Sequence, residues 1–479
     1  MSGQNILIWI IGLPLLGAFF LPLAGRISVI LRNALAVALA LSCCFFSFKL
    51  APLVISGQGV TFSREFLLGA NLIFHADGLA VFMAVISSLV SSIILIFSFG
   101  YISHYRNQNE YYFLVVLFLG AMMGIVFSAN LLFLYVFWEI TAVVSWRLIA
   151  FFRKDTDLVR ADKTFLVTVF GALIMLIGFI MIYQQSGSFD IAVIKQRLGP
   201  AGVSNLAVLL IMVGILSKSA TLPFHTWLPD AGVAPAPVTA LLHAAVLVKI
   251  GVYVYARLFV ASFTPALLWN QLLPWIAALS SAISAGAALR ETDFKRIVAY
   301  STISQIGFIF LGLTIGNNTG FAGGLLYILM HGIAKAGLFL CAGIVEQNTG
   351  IRDITKLGGL IRTMPLTALA FLFCAFSVMG IPPTGGFFAK YLVIAGSLQA
   401  GRMGLSFVFL AIACMTVLYL FRLFYLVFLQ EGSSQAPEAS RGMVCSVLLL
   451  ACISLAAGIA VQIPLNYIQA IILQLKGVI

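Results

Sequence analysis

The chain has 479 residues, of which 62% are hydrophobic and only 9% charged, with a formal net charge of +12 and a mean hydropathy of +1.11. A soluble domain carries about 25% charged residues, so the composition excludes one and defines a polytopic membrane protein. Long apolar runs satisfy their own backbone hydrogen bonds as helices in lipid. A transmembrane barrel needs alternating segments of about ten residues, and the sequence has none of these.

A helical crossing takes about 20 apolar residues. Fourteen spans are expected, over 5–24, 30–50, 78–100, 111–128, 130–151, 163–183, 205–222, 238–259, 270–289, 296–315, 320–344, 365–400 (interrupted), 405–429 and 443–463. The first has no basic residue before it, unlike a cleaved leader, and is expected to be retained. With the N-terminus outside, the cytoplasmic loops hold fourteen basic residues, among them Arg153, Lys154, Arg160, Lys163, Lys295 and Arg296. The outer loops then hold seven, including Arg64, Lys195 and Arg257. The positive-inside rule favours this orientation, which leaves both termini outside the cell membrane. The net charge follows from these loops and does not indicate a nucleic-acid partner. The segment after Pro464 is amphipathic and is expected at the interface. The seven cysteines have no metal-ligand spacing and read as small packing residues.

Two spans carry breaks. The seventh runs into Lys218-Ser-Ala-Thr-Leu-Pro223-Phe-His225-Thr-Trp-Leu-Pro229-Asp230, and the twelfth holds Gly380-Ile-Pro382-Pro383-Thr-Gly385-Gly386 before Lys390. Proline removes a backbone donor and clashes with the preceding turn. Unwound backbone at membrane depth is tolerated only inside protein or beside water. The breaks are five spans apart, so spans 4–8 and 9–13 form two five-helix units in opposite orientation. Paired broken helices in inverted repeats point to an ion site, although two independent proline kinks would look the same. The expected division is 1–105 for the first three helices, 106–260 and 261–430 for the two units, and 431–479 for the last helix and tail.

Five ionisable groups fall inside apolar stretches: Glu139, Lys218, Lys249, Lys335 and Lys390. A charge at the bilayer centre costs from roughly 2.5 kcal/mol upward, and all five can bind and release a proton. Glu139 lies nine residues after Asn130, about 14 Å along a helix, and Lys218 is its expected partner; a structural ion pair between helices is the plainer reading. Lys249 is too deep for its ammonium to reach water by extending along the surface. His243 lies six residues before it and is not on quite the same face. His331 and Lys335 are one turn apart on one face, suited to passing a proton through one water. Lys390 follows the second break as a terminal donor or acceptor, or else reaches for the interface. His225 lies in the loop-like part of the seventh span and is a candidate feed from the cytoplasm, or a hydrogen-bonded loop residue. Arg147 does not release its proton and is not a carrier. His75 and Asp77 read as interfacial. An ammonium cannot coordinate sodium, so this set favours H⁺ over Na⁺. There is no Walker loop and no dinucleotide fingerprint. No cofactor is therefore expected in this chain, and it is not expected to be an enzyme alone.

Over about 110–400 the sequence resembles the antiporter-like membrane subunits of respiratory complex I, Mrp cation/proton antiporters and energy-converting membrane-bound hydrogenases. The resemblance rests on Trp138-Glu139, on Lys218-Ser-Ala-Thr-Leu-Pro-Phe-His-Thr-Trp-Leu-Pro-Asp-Ala and on Leu-Leu-His243-Ala-Ala-Val-Leu-Val-Lys249. It continues through Asp293-Phe-Lys-Arg-Ile-Val-Ala-Tyr-Ser-Thr-Ile-Ser-Gln-Ile-Gly307, His331-Gly-Ile-Ala-Lys335 and Gly380-Ile-Pro-Pro-Thr-Gly-Gly-Phe-Phe-Ala-Lys390. It implies a fourteen-helix core with inverted repeats, a Glu139–Lys218 pair, a connecting Lys249 and a hydrated axis ending at Lys390. It also implies other membrane subunits as partners, further antiporter-like ones included, with lipid around them and a soluble redox arm on the cytoplasmic side. Trp146-Arg147 departs from the small and aromatic residues expected there. The wording of the eighth span leans toward the hydrogenase and Mrp branch. The function implied is proton translocation within such a complex. The alternatives are a non-conducting scaffold, a cation/proton antiporter or an inorganic-carbon uptake subunit.

Overall fold

The computed structural model describes residues 2–66, 71–199, 202–263, 266–432 and 436–476. The chain opens with α1 (Gly3–Gly17), α2 (Leu21–Ile27) and α3 (Val29–Ile55), then a hairpin of β1 (Val60–Glu65) and β2 (Asn71–Ala76). Next come α4 (Gly78–Tyr101), α5 (Gln108–Phe127), α6 (Leu131–Ile149), α7 (Asp155–Ser186), α8 (Ile191–Leu198), α9 (Asn205–Lys218) and α10 (Trp227–Asp230). These are followed by α11 (Ala236–Ala240), α12 (Leu247–Tyr255), α13 (Leu267–Arg290), α14 (Phe294–Thr314) and α15 (Asn318–Thr349). The remaining helices are α16 (Pro365–Met379), α17 (Gly385–Gln399), α18 (Met403–Phe424), α19 (Arg441–Ile459) and α20 (Gln462–Leu475).

Among the described residues, 12 helices are long and apolar enough to cross a membrane. The expected seventh and twelfth spans are represented instead by the shorter apolar helices Asn205–Lys218 and Pro365–Met379, because each stops at its break. Burial sorts the helices. The stretches Ala236–Val260, Phe294–Thr314 and Asn318–Thr349 are almost wholly enclosed, whereas the two N-terminal spans expose most of their surface. A helix apolar all round and enclosed by others belongs to the interior. On α7, Leu166, Phe170, Leu173, Ile177 and Ile180 face outward.

Three local features differ from the sequence reading. The fold is helical but includes the antiparallel hairpin, with Val60 paired to Ala76 and Glu65 to Asn71. Its six-residue strands are too short to cross lipid, so they escape a search for transmembrane strands. The eighth span is not one α-helix. It contains π-helical turns at Leu241–Ala245 and Ala256–Val260, on either side of α12. The break after Lys218 is followed by only a four-residue α10, so the first broken helix has no long second half. Both breaks contain a cis X-Pro bond, Leu222–Pro223 and Pro382–Pro383. At the second, Gly380 has φ +84°, a conformation in which a Cβ is strained.

Of the described cysteines, Cys43, Cys44, Cys341 and Cys374 are buried, while Cys414, Cys445 and Cys452 are on the outer surface of the bundle.

Candidate functional site

Lys218, Lys249 and Lys335 have no accessible surface, and Lys390 keeps 4%. None of the four can extend its ammonium to a membrane surface, so Lys390 is an interior group and does not reach for the interface. Each amine donates to at least one backbone carbonyl. Lys218 closes α9, and its Nζ donates to the Trp138 carbonyl at 3.4 Å and lies 5.4 Å from the centre of the Trp138 ring. Lys249 donates to the Ala244 carbonyl, within the π-turn that also carries His243. A π-turn shifts the hydrogen-bond ladder and so frees a carbonyl for the ammonium, which accounts for the irregular eighth span. Lys390 reaches back across the second break to the Val378 carbonyl at 2.7 Å and the Met379 carbonyl at 3.5 Å. Those carbonyls have no intrahelical partner because α16 ends there.

The glutamate is placed differently from the lysines. It is half-buried, on a stripe of α6 where Val136 and Val143 are exposed. Lys218 is within Coulombic reach, and Tyr135 approaches the carboxyl from one turn earlier. Among the described residues, no direct ion pair joins Glu139 to Lys218, and Glu139 Oε1 is buried without a hydrogen-bond partner. The Lys218 ammonium contacts the carbonyl and indole of Trp138, the residue before Glu139.

The centre of the axis lies on α15. His331 is within Coulombic reach of Lys249, Lys335, Lys390 and His243, so the structure does gather these groups. Gly332 makes the approach possible: a Cβ there would lie 2.9 Å from Lys249 Nζ. The ring of His243, on the π-turn, lies 4.5 Å from that of Phe339 at a tilt of 45°. Both nitrogens of His243 and both of His331 are buried with no partner among the described residues. Buried polar atoms are rarely left unpaired, which sets these two imidazoles apart from the packed apolar residues around them.

Between Lys335 and Tyr327, beside Lys390, the structure holds a hydrogen-bonded series that sequence reasoning missed. Lys335 Nζ donates to Ser301 Oγ at 2.6 Å and to the Val298 carbonyl at 3.0 Å. The Tyr419 hydroxyl donates to Ser301 Oγ at 2.8 Å and accepts from Gln305 Nε2 at 3.2 Å. The Tyr327 hydroxyl in turn donates to Gln305 Oε1 at 2.5 Å. Lys390 Nζ sits 5.7 Å from the centre of the Tyr327 ring and 4.7 Å from that of Phe308. The Ser301–Gln305 stretch lies inside a motif quoted above. Only the i, i+4 spacing of two polar residues in an apolar helix could have singled it out, and Tyr419 gave no signal.

Other expectations are corrected. Lys295, counted above as a loop charge, is buried, with its Nζ 2.6 Å from Glu346 and 3.0 Å from the Ala234 carbonyl. Burying it is possible because a carboxylate and a carbonyl replace its water. Glu346 also pairs with Arg352, beside a cavity of about 590 Å³ that Lys154, Asp157 and Arg160 also line. His243 is within Coulombic reach of both Lys295 and Lys335. Arg147 pairs with Glu110, which also binds Arg153 at 2.9 Å. Asp77 is not merely interfacial. It caps α4 through Ala80 N at 2.9 Å and holds Arg257, another presumed loop charge, through both carboxylate oxygens. His225 lies in the turn after α9, within Coulombic reach of Lys163, and its buried Nδ1 has no hydrogen-bond partner among the described residues.

This is a helical membrane protein whose interior holds buried lysines, histidines and a hydroxyl–amide hydrogen-bonded series. The family described as "NADH:quinone oxidoreductase/Mrp antiporter, TM" matches residues 128–417, and "NADH-Ubiquinone oxidoreductase (complex I), chain 5 N-terminus" matches 67–112. The chain belongs to the NADH:quinone oxidoreductase/Mrp antiporter transmembrane family. Among its curated relatives is a Na(+)/H(+) antiporter subunit of Alkalihalophilus pseudofirmus, 34% identical over 80% of this chain and 52% of the relative. Another, a Na(+)/H(+) antiporter subunit of Staphylococcus haemolyticus, is 33% identical over 82% and 53%. The chain thus spans about half the length of the curated relatives it matches. Among solved structures it is similar to a chain of an archaeal membrane-bound sulfane sulfur reductase, with TM-score 0.90 and 26% identity over 98% of both chains. A chain of the Mrp complex from Dietzia sp. gives TM-score 0.88 at 23% identity, covering 99% of this chain and 98% of that one. A chain of Thermus thermophilus respiratory complex I gives 0.86 at 23%, covering 99% of both. The last two show a common fold.

Proposed function

We propose that this chain translocates protons as the antiporter-like subunit of a multi-subunit redox-driven or Mrp-type membrane complex. The observation that carries the reading is the gathering of buried titratable and polar groups inside the bundle. His331 is within Coulombic reach of Lys249, Lys335 and Lys390, and a hydrogen-bonded series runs from Lys335 through Ser301, Tyr419 and Gln305 to Tyr327, whose ring centre lies 5.7 Å from Lys390 Nζ. A scaffold could pin helices with one such contact; it has no use for so many in one place. Protons enter from the cavity at Glu346 and Lys295, pass His243, and distribute along Lys249, His331 and Lys335. Burial disfavours an ammonium and a nearby carboxylate favours it. A change at Glu139 therefore alters the hold of Lys218 on its proton, and the disturbance passes along the axis.

The neighbouring membrane subunit covers the exposed stripe of α6, with Glu139 at its edge, and a soluble arm lies on the cytoplasmic side. In this reading the chain resides in the cell membrane with both termini outside. The two five-helix units, 106–260 and 261–430, are inverted repeats. Isolated backbone bridges support that reading: Asn130 pairs with Asp190 and Asp293 with Asp353, at matching places and enclosing segments of equal length. The sixth and eleventh spans, α7 and α15, are also equal, at 32 residues each. The test is proton uptake by vesicles carrying the intact complex. Glu139→Ala and Lys218→Ala should assemble and abolish driven uptake; full uptake in either would count against the axis.

A further inference from the structure

A cavity of about 390 Å³ opens on the face that carries the hairpin, α8 and α20, the outer face in the orientation proposed above. Ser128, Asp190, Lys195, His75, Asp77 and Arg257 line it. The last two form its floor as a two-pronged ion pair, with Arg257 Nη1 to Asp77 Oδ2 at 2.5 Å and Nη2 to Oδ1 at 2.7 Å. The floor rests on Tyr253, whose hydroxyl accepts from Arg257 Nε at 3.0 Å and Nη2 at 2.9 Å and donates to the Val126 carbonyl. One regular turn further along α12 is Lys249, about 6 Å on at 1.5 Å per residue. Arg257, Tyr253 and Lys249 thus follow one another at four-residue spacing from the cavity to the middle of the buried axis.

We propose that this cavity is a water-filled proton port to Lys249, closed in this conformation by the Asp77–Arg257 pair. The chemistry of the three residues fits distinct tasks. Arginine does not deprotonate, so Arg257 is a fixed charge that blocks a hydrated proton and does not carry one. Tyr253 offers a hydroxyl that can both accept and donate. When the guanidinium swings away from Asp77, water reaches the hydroxyl, and a proton passes between it and the Lys249 amine. Asp77 is suited to holding the pair closed at any physiological pH: burial works against its carboxylate, but Arg257 outweighs burial and holds it at about 2. His75, on β2, is also within Coulombic reach of both members of the pair. The proposal rests on the axis described above only for what passes through the port; whether Lys249 can be reached from this face is a separate question.

Water access is read with silver ion, a small thiol-reactive cation, on sealed vesicles holding the intact complex. The background carries alanine at all seven cysteines, with Lys249→Cys as reporter and Ser128→Cys as a cavity control. Ser128→Cys should react from the hairpin face in every variant. Lys249→Cys should be protected while the pair is intact and react at least tenfold faster from that face with Asp77→Asn, which retains a good helix cap. Arg257→Gln should open the same route from the other partner. The exchanged pair, Asp77→Arg with Arg257→Asp, should close it again. Unchanged protection of Lys249→Cys in both opening variants, with the Ser128→Cys control still reactive, would overturn the port. Silver labelling does not depend on proton uptake, so the port and the axis can fail independently.

Discussion

Replacing Gly332 of α15 with alanine would push the Lys249 ammonium off its seat at the Ala244 carbonyl. The added Cβ would lie 2.9 Å from Lys249 Nζ and 3.4 Å from the Ala244 carbonyl oxygen. Non-bonded heavy atoms settle at roughly 3.5–4.0 Å, so the amine must move by about half an ångström or more. The yielding atom is the tip of a flexible side chain, so the fold loses little. Alanine gains about 1 kcal/mol of helix propensity over glycine, against about 1–3 kcal/mol for overpacking, a net cost within about 2 kcal/mol. Transfer between groups is less forgiving. A misplacement of ~1 Å can cost ~100-fold in rate, so half of that is worth about tenfold. The assay is driven proton uptake in vesicles, normalised to assembled complex measured by native electrophoresis. Normal assembly with uptake cut about tenfold is expected. Normal assembly with full uptake would refute the idea that Lys249 must sit beside His331.

Gly458→Ala should behave oppositely: its Cβ would meet the Pro383 carbonyl oxygen at 2.2 Å and Gly385 N at 2.4 Å, backbone that cannot yield, so assembled protein should be largely lost on native gels. Tyr419→Phe leaves Ser301 bonded to Lys335 and Gln305 bonded to Thr416, so thermal stability should fall by only about 1 kcal/mol while driven uptake drops sharply. Asp77 should make an acid-sensitive contribution to stability. Its carboxyl moves from the ordinary 3.8 to about 2 in the fold, a shift worth about 2 kcal/mol. A depressed carboxylate stabilises above its unfolded value, so the contribution should be complete above about pH 4 and vanish as the pH falls through about 2. Asp77→Asn should therefore narrow its gap to the natural chain when melting in detergent is followed down that range.

The sequence made the bundle and its breaks readable because both rest on strong local signals. Apolar length gives a span, and Pro223 or Pro382-Pro383 within one forces an interruption. The deep lysines were readable for the same reason, since burial of an ammonium in lipid is costly enough to demand a purpose. The hydrogen-bonded series was not readable, because Ser301, Gln305, Tyr327 and Tyr419 are ordinary residues in apolar helices, and only tertiary packing brings Tyr419 of α18 onto α14. The ion pairs Lys295–Glu346 and Arg257–Asp77 were missed because a charge near the end of a span looks solvated until its partner is located. The hairpin escaped because its alternation, Val60-Thr-Phe-Ser-Arg-Glu, is too brief to count as a span. The Glu139–Lys218 pairing was only partly readable: the two groups are within Coulombic reach, but among the described residues no direct ion pair joins them, and Glu139 sits half-buried on the α6 stripe that Val136 and Val143 expose.

That position has a consequence for where control over the axis resides. A half-buried side chain beside an exposed stripe takes part of its setting from whatever abuts α6, be it acyl chains, a cationic residue or another helix, in addition to Lys218 within its own chain. The four amines, by contrast, carry their surroundings with them wherever the chain goes. Purification into detergent should therefore leave the inner series in order while stripping Glu139 of the setting that tells it when to hold or lose its charge, so a faithful copy of the path need not be a working one.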